Sequence, residues 1–218
     1  MDLPLDEQRS AHIARVERVL GIPVSGLTPS PNTTAFRARI ELTPGDDGIL
    51  GYRSSRSHRA VAVNQCAVAR PEINAVLPRL GPVPRFIERV SFRSDGSRVV
   101  VHVKTTDRNK KKAVHWVNGL PDIGAAVALN GRGLTGDAST CLTVEGIEHQ
   151  FSPATFYQVN LEINALLVAD VVSEVERASP TAILDLFSGA GNLSLPLVNR
   201  GHTVTTVSYT HLTLPTKA

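Results

Sequence analysis

Cysteine is scarce in this 218-residue chain. Cys66 and Cys141 are its only two, too far apart to suggest a disulfide framework. Long uncharged apolar runs are also missing, so no stretch reads as a bilayer-spanning helix. The N-terminus, Met1-Asp2-Leu3-Pro4, is acidic and lacks the apolar core of a signal peptide. A strong charge bias is absent too: net charge is +3 and the pI is near 9.1. That balance is compatible with a nucleic-acid partner but does not demand one. These absences lead to the expectation of a soluble, cytoplasmic protein, monomeric and without a membrane partner. Hydrophobic residues make up 42% and charged residues 20%, enough to support packed cores in one large domain or two small ones.

Two glycine-rich fingerprints are lacking as well, at the stretch that matters most. Ile183-Leu184-Asp185-Leu186 reads as a short buried strand, Leu193 to Asn199 as a helix, and Ser188-Gly189-Ala190-Gly191 as the turn between them. Such a turn aims backbone N–H groups at a ligand beyond the strand's carboxyl end. A dinucleotide fingerprint needs a third glycine where Ser194 stands, and no Gly-x-x-x-x-Gly-Lys-Ser/Thr loop is present. What is there, Asp-x-Phe-x-Gly-x-Gly-Asn after an apolar strand, resembles the first motif of class I S-adenosylmethionine-dependent methyltransferases. Read by itself, it is equally an αβ turn whose glycines serve geometry alone.

A second stretch, one helix upstream, breaks that balance. Phe151-Ser152-Pro153-Ala154-Thr155-Phe156-Tyr157-Gln158-Val159-Asn160 contains Phe-Tyr-Gln-x-Asn. Paired with Asp-Leu-Phe-x-Gly-x-Gly-Asn, it resembles the RNA uracil-5 methyltransferase family, which modifies ribosomal and transfer RNA. The resemblance extends weakly upstream through Gly51-Tyr52-Arg53 and Asn64-Gln65-Cys66 to about the chain's start. It implies that Gln158, Phe187 and Asn192 contact S-adenosylmethionine, with Gly189 and Gly191 admitting the backbone. Asp185 either orients the loop or faces the cofactor's head group; equally, it bonds local N–H groups in a turn. Phe156 and Tyr157 read as packing residues, Ser188 as turn filler, and Asn160 as the N-cap of the following helix.

Along the chain, Leu5 to Leu20 reads as a helix stopped by Gly21 and Pro23. Phe36 to Leu42 alternates as a strand, and Ala60-Val61-Ala62-Val63 begins another ending at Cys66. Pro71 to Leu80 is expected to be helical. Arg89 to Arg93 and Arg98 to Lys104 form a hairpin around Ser94-Asp95-Gly96. A basic loop, Arg108 to Lys112, precedes a strand-like Ala113-Val114-His115-Trp116-Val117. Ile123 to Leu129 ends at the turn Asn130-Gly131-Arg132-Gly133, and Cys141 to Ile147 is a further strand. From Leu161 an amphipathic helix runs to Ser179-Pro180, followed by the motif strand, its helix, and a strand from Thr203. The fold class expected is α/β: an α+β domain with mostly antiparallel strands over 1–146, then the first part of a Rossmann-like parallel sheet over 147–206. Residues 207–218 read as a non-native, adapter-like tail.

In the family resembled, a cysteine thiolate adds to C6 of uracil and a base removes the C5 proton. Both groups lie downstream of the first cofactor motif, so no catalytic residue is assigned here. An iron–sulfur cluster, bound in the family by cysteines upstream of the first helix, is expected in a longer parent protein only: Cys66 matches the last cysteine of that set, and one cannot hold a cluster needing four. Met1 is accordingly expected to be an internal methionine. No acidic residue follows the second parallel strand to hold a ribose, so cofactor affinity is expected to be weak. RNA contacts are expected from two basic stretches, Arg53, Arg56 and Arg59 with His58, and Lys110, Lys111 and Lys112 with Arg108; each alone reads slightly better as a solvated turn, and the family resemblance brings the two readings level. The competing reading is a non-catalytic RNA-binding module. A nucleotide-binding oxidoreductase is disfavoured by Ser194.

Overall fold

The computed structural model describes residues 4–54 and 60–208. The chain divides into two compact units, residues 1–31 and 32–218. The first contains helix α1 (Leu5–Leu20), as the sequence predicts. Gly21 ends it in the left-handed region, at φ 70°, with its N–H donating to the Glu17 carbonyl at 2.8 Å. None of the residues of α1 is buried.

The second unit is built on a seven-stranded sheet in the order β3-β2-β1-β4-β5-β6-β7. Its strands are β1 (Arg39–Pro44), β2 (Leu50–Arg53), β3 (Ala60–Ala62), β4 (Ile87–Ser94), β5 (Val99–Thr105), β6 (Ala126–Leu129) and β7 (Arg132–Thr135). Every neighbouring pair is antiparallel except β5–β6, which is parallel. Antiparallel neighbours need only a turn, but a parallel pair needs a crossover. Helix α3 (Lys110–Asn118) supplies it. The predicted hairpin at Ser94-Asp95-Gly96 is the β4–β5 pair.

Register decides which side chains share a face. Ile40 lies opposite Phe92, Phe92 opposite Val101, and Val101 opposite Val127. This apolar face packs against Ile73 and Val76 of helix α2 (Pro71–Val76) and Ala113 and Val117 of α3. The alternate residues, Arg39, Glu41, Ser91, Arg93, His102 and Lys104, fall on the other face.

Sequence expectations fail at two helices of this unit. Ala113 to Val117 is not a strand but the body of α3, and Lys110, Lys111 and Lys112 are not a loop but its first turn. Ala113 and Val117 are buried four residues apart, a helical spacing that the apparent alternation of Val114 and Trp116 obscured. The predicted helix from Pro71 gives way at Leu77 to a 3-10 turn over Leu77–Leu80, where Pro78 lacks the N–H an α-helix would use.

A separate hairpin follows: β8 (Thr140–Val144) and β9 (Ile147–Phe151), turning at Glu145 and Gly146 with φ of 49° and 74°. Then come α4 (Leu161–Ala178), β10 (Ile183–Asp185), α5 (Ser194–Asn199) and β11 (Val204–Thr206). β10 and β11 pair in parallel, Ile183 opposite Val204 and Asp185 opposite Thr206. Strand, helix and parallel strand are as the sequence predicts. Val168 and Val172 of α4 pack against Leu197 of α5 and Val144 of β8. Val207 extends the pairing, its N–H donating to the Asp185 carbonyl at 2.8 Å; the remainder of the predicted tail from Tyr209 onward lies outside the described residues. Among the described residues no helix is long and apolar enough to cross a membrane.

Candidate functional site

The segment carrying Gln158 is fastened to the sheet. The Ala38 N–H donates to the Val159 carbonyl at 2.7 Å, and the Tyr157 hydroxyl to the Ala38 carbonyl at 3.0 Å. The Tyr157 and Phe151 rings meet at a tilt, their centroids 5.3 Å apart, and form a small core with Ala38 and Leu142. The strongest fastening is Arg93, only 2% exposed. Its guanidinium donates to the carbonyls of Ser152, Pro153 and Thr155 and lies over the Tyr157 ring at 4.7 Å. Burial lowers its pKa, since the charged form is out of water. Carbonyl dipoles, rather than a carboxylate, face the charge. The exposed Gln158 is thereby held on a fixed backbone. Asn160 caps α4, accepting the Ile163 N–H at 3.1 Å, as the sequence predicts.

The glycine turn is built locally. Asp185 accepts the Phe187 N–H at 3.2 Å and the Ser194 hydroxyl. That is the turn-bonding reading of Asp185, and it also explains Ser194 at the third-glycine position: the serine ties the helix start back to the strand end. Gly189 and Gly191 take φ of 52° and 79°. A Cβ on Gly191 would meet Leu195 at 2.8 Å, whereas one on Gly189 would meet only the Phe187 carbonyl, at 3.9 Å. Gly191 serves packing and Gly189 leaves open space.

Both segments line one cavity of about 340 Å³. Gln158 and Phe156 come from the first; Asp185, Phe187, Ser188, Gly189 and Asn192 come from the second. Five of the six residues expected at a cofactor site are thus brought together, while the sixth, Gly191, is not among the lining residues. Phe187 is 82% exposed and the Ser188 hydroxyl is buried with no partner among the described residues. Phe156, expected to be packing, instead exposes its ring at the cavity, with the Arg39 guanidinium 5.3 Å above it.

Asn192 does not point freely. Its amide exchanges two hydrogen bonds with the amide of Asn164, both 2.8 Å. Each amide retains one N–H and one lone pair for another partner. Asn164 was missed in the sequence, yet its signal is present: Asn164, Val168 and Val172 recur every four residues on the buried stripe of α4, and a polar group there needs a partner.

The other predicted positions are dispersed. Arg53 ends β2, Lys110 to Lys112 open α3 on the apolar side of the sheet, and Arg56, His58 and Arg59 lie outside the described residues. Cys66 is a core residue whose sulfur is 3.4 Å from the Tyr52 hydroxyl, and Cys141 is on β8, where burial pushes its thiol pKa up. Neither lines the cavity. Among the described residues no cluster of three or more His, Cys, Asp or Glu side chains is placed to hold a metal ion.

A mostly antiparallel sheet followed by a β-α-β start with a glycine turn makes a mixed α/β fold. The fold matches the crystal structure of Pyrococcus abyssi tRNA (uracil-54, C5)-methyltransferase in complex with S-adenosyl-L-homocysteine, with a TM-score of 0.76 over 95% of this chain and 57% of that one, at 22% identity. In sequence the chain is homologous to RNA uracil-C5 methyltransferases. It is 32% identical over 183 residues to the 23S rRNA (uracil(1939)-C(5))-methyltransferase RlmD of Dichelobacter nodosus, covering 78% of this chain and 42% of that protein. To RlmD of Pectobacterium atrosepticum it is 31% identical over 223 residues, covering 90% and 48%. The chain therefore spans less than half the length of these two curated relatives. No family model matches it.

Proposed function

We propose that this chain binds S-adenosylmethionine in the cavity between the Gln158 segment and the glycine turn, as part of a cytoplasmic, monomeric RNA uracil-5 methyltransferase. The observation that carries the reading is the meeting of Gln158 with Asp185, Phe187, Gly189 and Asn192 around one cavity, from two segments that each resemble a cofactor-contacting motif. Ribosomal RNA is the favoured substrate, because the sequence relatives above are named for 23S rRNA; transfer RNA is the substrate of the structural neighbour.

The lining chemistry fits such a ligand. About 340 Å³ falls within the usual range for small-molecule sites. The Phe187 ring offers a flat apolar surface to a base, Gln158 and Asn192 offer amides to hydroxyl, amino or carboxylate groups, and Gly189 lets the backbone approach. The unpartnered Ser188 hydroxyl is a further polar group at the site. Bound S-adenosylmethionine would supply an electrophilic methyl group. The chain's own residues bind and orient it; no catalytic residue is assigned. Thr206, Val207 and Ser208 at the end of β11 bring no carboxylate for a ribose, so binding is expected to be weak.

Calorimetric titration with S-adenosylmethionine, S-adenosylhomocysteine and NAD tests the reading. Saturable heat with the first two and none with NAD is expected. Phe187→Ala and Gln158→Ala should weaken it without changing the melting temperature, since both side chains are exposed. Absence of heat with all three, or equal binding of NAD, overturns it.

A further inference from the structure

The second face of the large sheet is unlike the rest of the molecule. Arg39 stands directly opposite Arg93, and Arg89 directly opposite Lys104. Like charges facing each other across strands destabilise a sheet. Among the described residues one carboxylate, Glu41, joins these four cations in the cavity lining, and it is bonded to Arg89 at 2.9 Å. Their formal sum, +3, equals the net charge of the entire chain, so every other charge in the sequence cancels. Arg93 is committed to backbone carbonyls, and neither Arg39 nor Lys104 is in an ion pair with a described residue. Four cations drawn from three strands therefore share one face with little to neutralise them.

That face is also open and polar. A cavity of about 230 Å³ runs along Arg39, Arg89, His102, Lys104 and Asn130 and reaches Ala154. His102 Nε2 accepts the Gly131 N–H at 2.8 Å, so the proton of the neutral ring sits on Nδ1 as a donor. Ala154 lines this cavity and the cofactor cavity alike, and Arg39 overlies Phe156, which lines the second. The two sites are contiguous.

We propose that this sheet face, through Arg39, Arg89 and Lys104, is where the phosphate backbone of a single-stranded RNA runs on its way to the cofactor cavity; this rests on the RNA methyltransferase reading above. Phosphates between the facing cations would relieve their repulsion and accept hydrogen bonds from them. The contiguous Lys110–Lys112 run is the less suited surface, because α3 lies on the apolar side of the sheet, away from the cofactor cavity's shared wall.

The test is fluorescence anisotropy of a labelled single-stranded RNA titrated with the whole chain over a salt series. The double variant Arg39→Gln/Lys104→Gln should lose roughly tenfold in affinity and flatten the log–log salt slope by about 1.4, the value for two phosphate contacts on a single strand. Lys110→Gln/Lys111→Gln/Lys112→Gln should keep most of the affinity. Unchanged circular dichroism and melting temperature exclude unfolding, and Lys104→Arg should retain binding. An unchanged slope in the double variant, loss carried entirely by the triple variant, no binding by the parent chain, or equal competition by polyglutamate would each overturn the proposal. Titration of the parent chain with S-adenosylhomocysteine separates the two claims: heat there with an unchanged salt slope removes only the surface, and no heat with a flattened slope removes only the cofactor reading.

Discussion

The reciprocal amide pair of Asn164 and Asn192 offers a way to separate holding a site from filling it. Asn164→Leu deletes both 2.8 Å bonds and leaves the Asn192 amide facing a methyl group. Each bond contributes about 1 kcal/mol net. Asn192 is only half-buried, so water can partly replace its lost partner and the added desolvation cost stays near its lower end. The single variant should therefore cost about 2 kcal/mol, or roughly 4–8 °C in melting temperature for a domain of this size. Asn164→Leu/Asn192→Leu removes both partners, and an apolar pair of similar shape should recover much of that loss. Cofactor affinity should respond differently. Both variants should bind S-adenosylhomocysteine more weakly than the parent chain, and the double variant no better than the single one despite its regained stability. Differential scanning calorimetry and titration calorimetry on the same three proteins read the two effects. A single variant as stable as the parent would refute the energetic argument, and a double variant that binds as well as the parent would refute the role given to Asn192.

Three further outcomes follow from the same geometry. Arg93→Met keeps the side chain's bulk but strands the carbonyls of Ser152, Pro153 and Thr155; a loss of about 1–3 kcal/mol for each carbonyl that water cannot reach is expected, with chemical denaturation as the readout. Gly191→Ala combines a φ of 79° with a contact at 2.8 Å to Leu195, so it should destabilise by more than about 1 kcal/mol, whereas Gly189→Ala, strained in φ but sterically open, should cost less. His149 is buried, stacked on Phe151 at 6.0 Å, and neither ring nitrogen has a partner among the described residues. Burial lowers its pKa from 6.5, and the nearby Ala190 backbone, which does not form a hydrogen bond to the ring, opposes this only in part. The unfolded chain then binds the proton more readily than the folded one, so this stability is complete above pH 6.5 and is lost as pH falls through the folded value, at about 1.4 kcal/mol per unit of difference. His149→Phe should flatten that acid limb; an unchanged melting-temperature profile between pH 7 and pH 5 would contradict it.

What was legible in the sequence was mostly what local physics decides. The Leu5–Leu20 helix, the β4–β5 hairpin and the strand–turn–helix around Gly189 each carry their own stop signals and periodicity, and the structure follows them. Helix α3 was misread because its buried contacts, Ala113 and Val117, are set by the parallel β5–β6 pair it must bridge, a constraint invisible in a nine-residue window. Strand β7 was hidden in a turn signal, since Asn130-Gly131 is the turn but Arg132-Gly133 already belongs to the strand that returns from it. For the site, the two motifs named the cavity's residues, but not the ones that hold them. Arg93 reads in sequence as an ordinary exposed strand cation, and only burial beneath the 152–155 carbonyls reveals its work. The RNA-facing expectation rests on cations adjacent in sequence; that the register gathers Arg39, Arg89, Arg93 and Lys104 from three strands is not legible in any one stretch.

The position of Arg93 ties these findings together. Arg93 sits at the end of β4, on the polar face of the sheet, yet its guanidinium fixes the backbone that leads to Gln158. Its neighbour Ser94 bonds Glu72, Glu72 bonds Arg70, and Arg70 reaches Glu162 in the first turn of α4 at 3.1 Å. The sheet thus grips both ends of the segment that carries Gln158, through a buried cation at one end and an ion-pair chain at the other. A polyanion settling beside Arg93 would lie against the same scaffold that orients Gln158. Neutralising Arg39 or Lys104 should then weaken RNA binding without moving that segment, whereas Arg93→Met should disturb RNA and cofactor binding together. If Arg93→Met instead left cofactor affinity intact while stability fell, the sheet would be only a support for the site and not part of what shapes it.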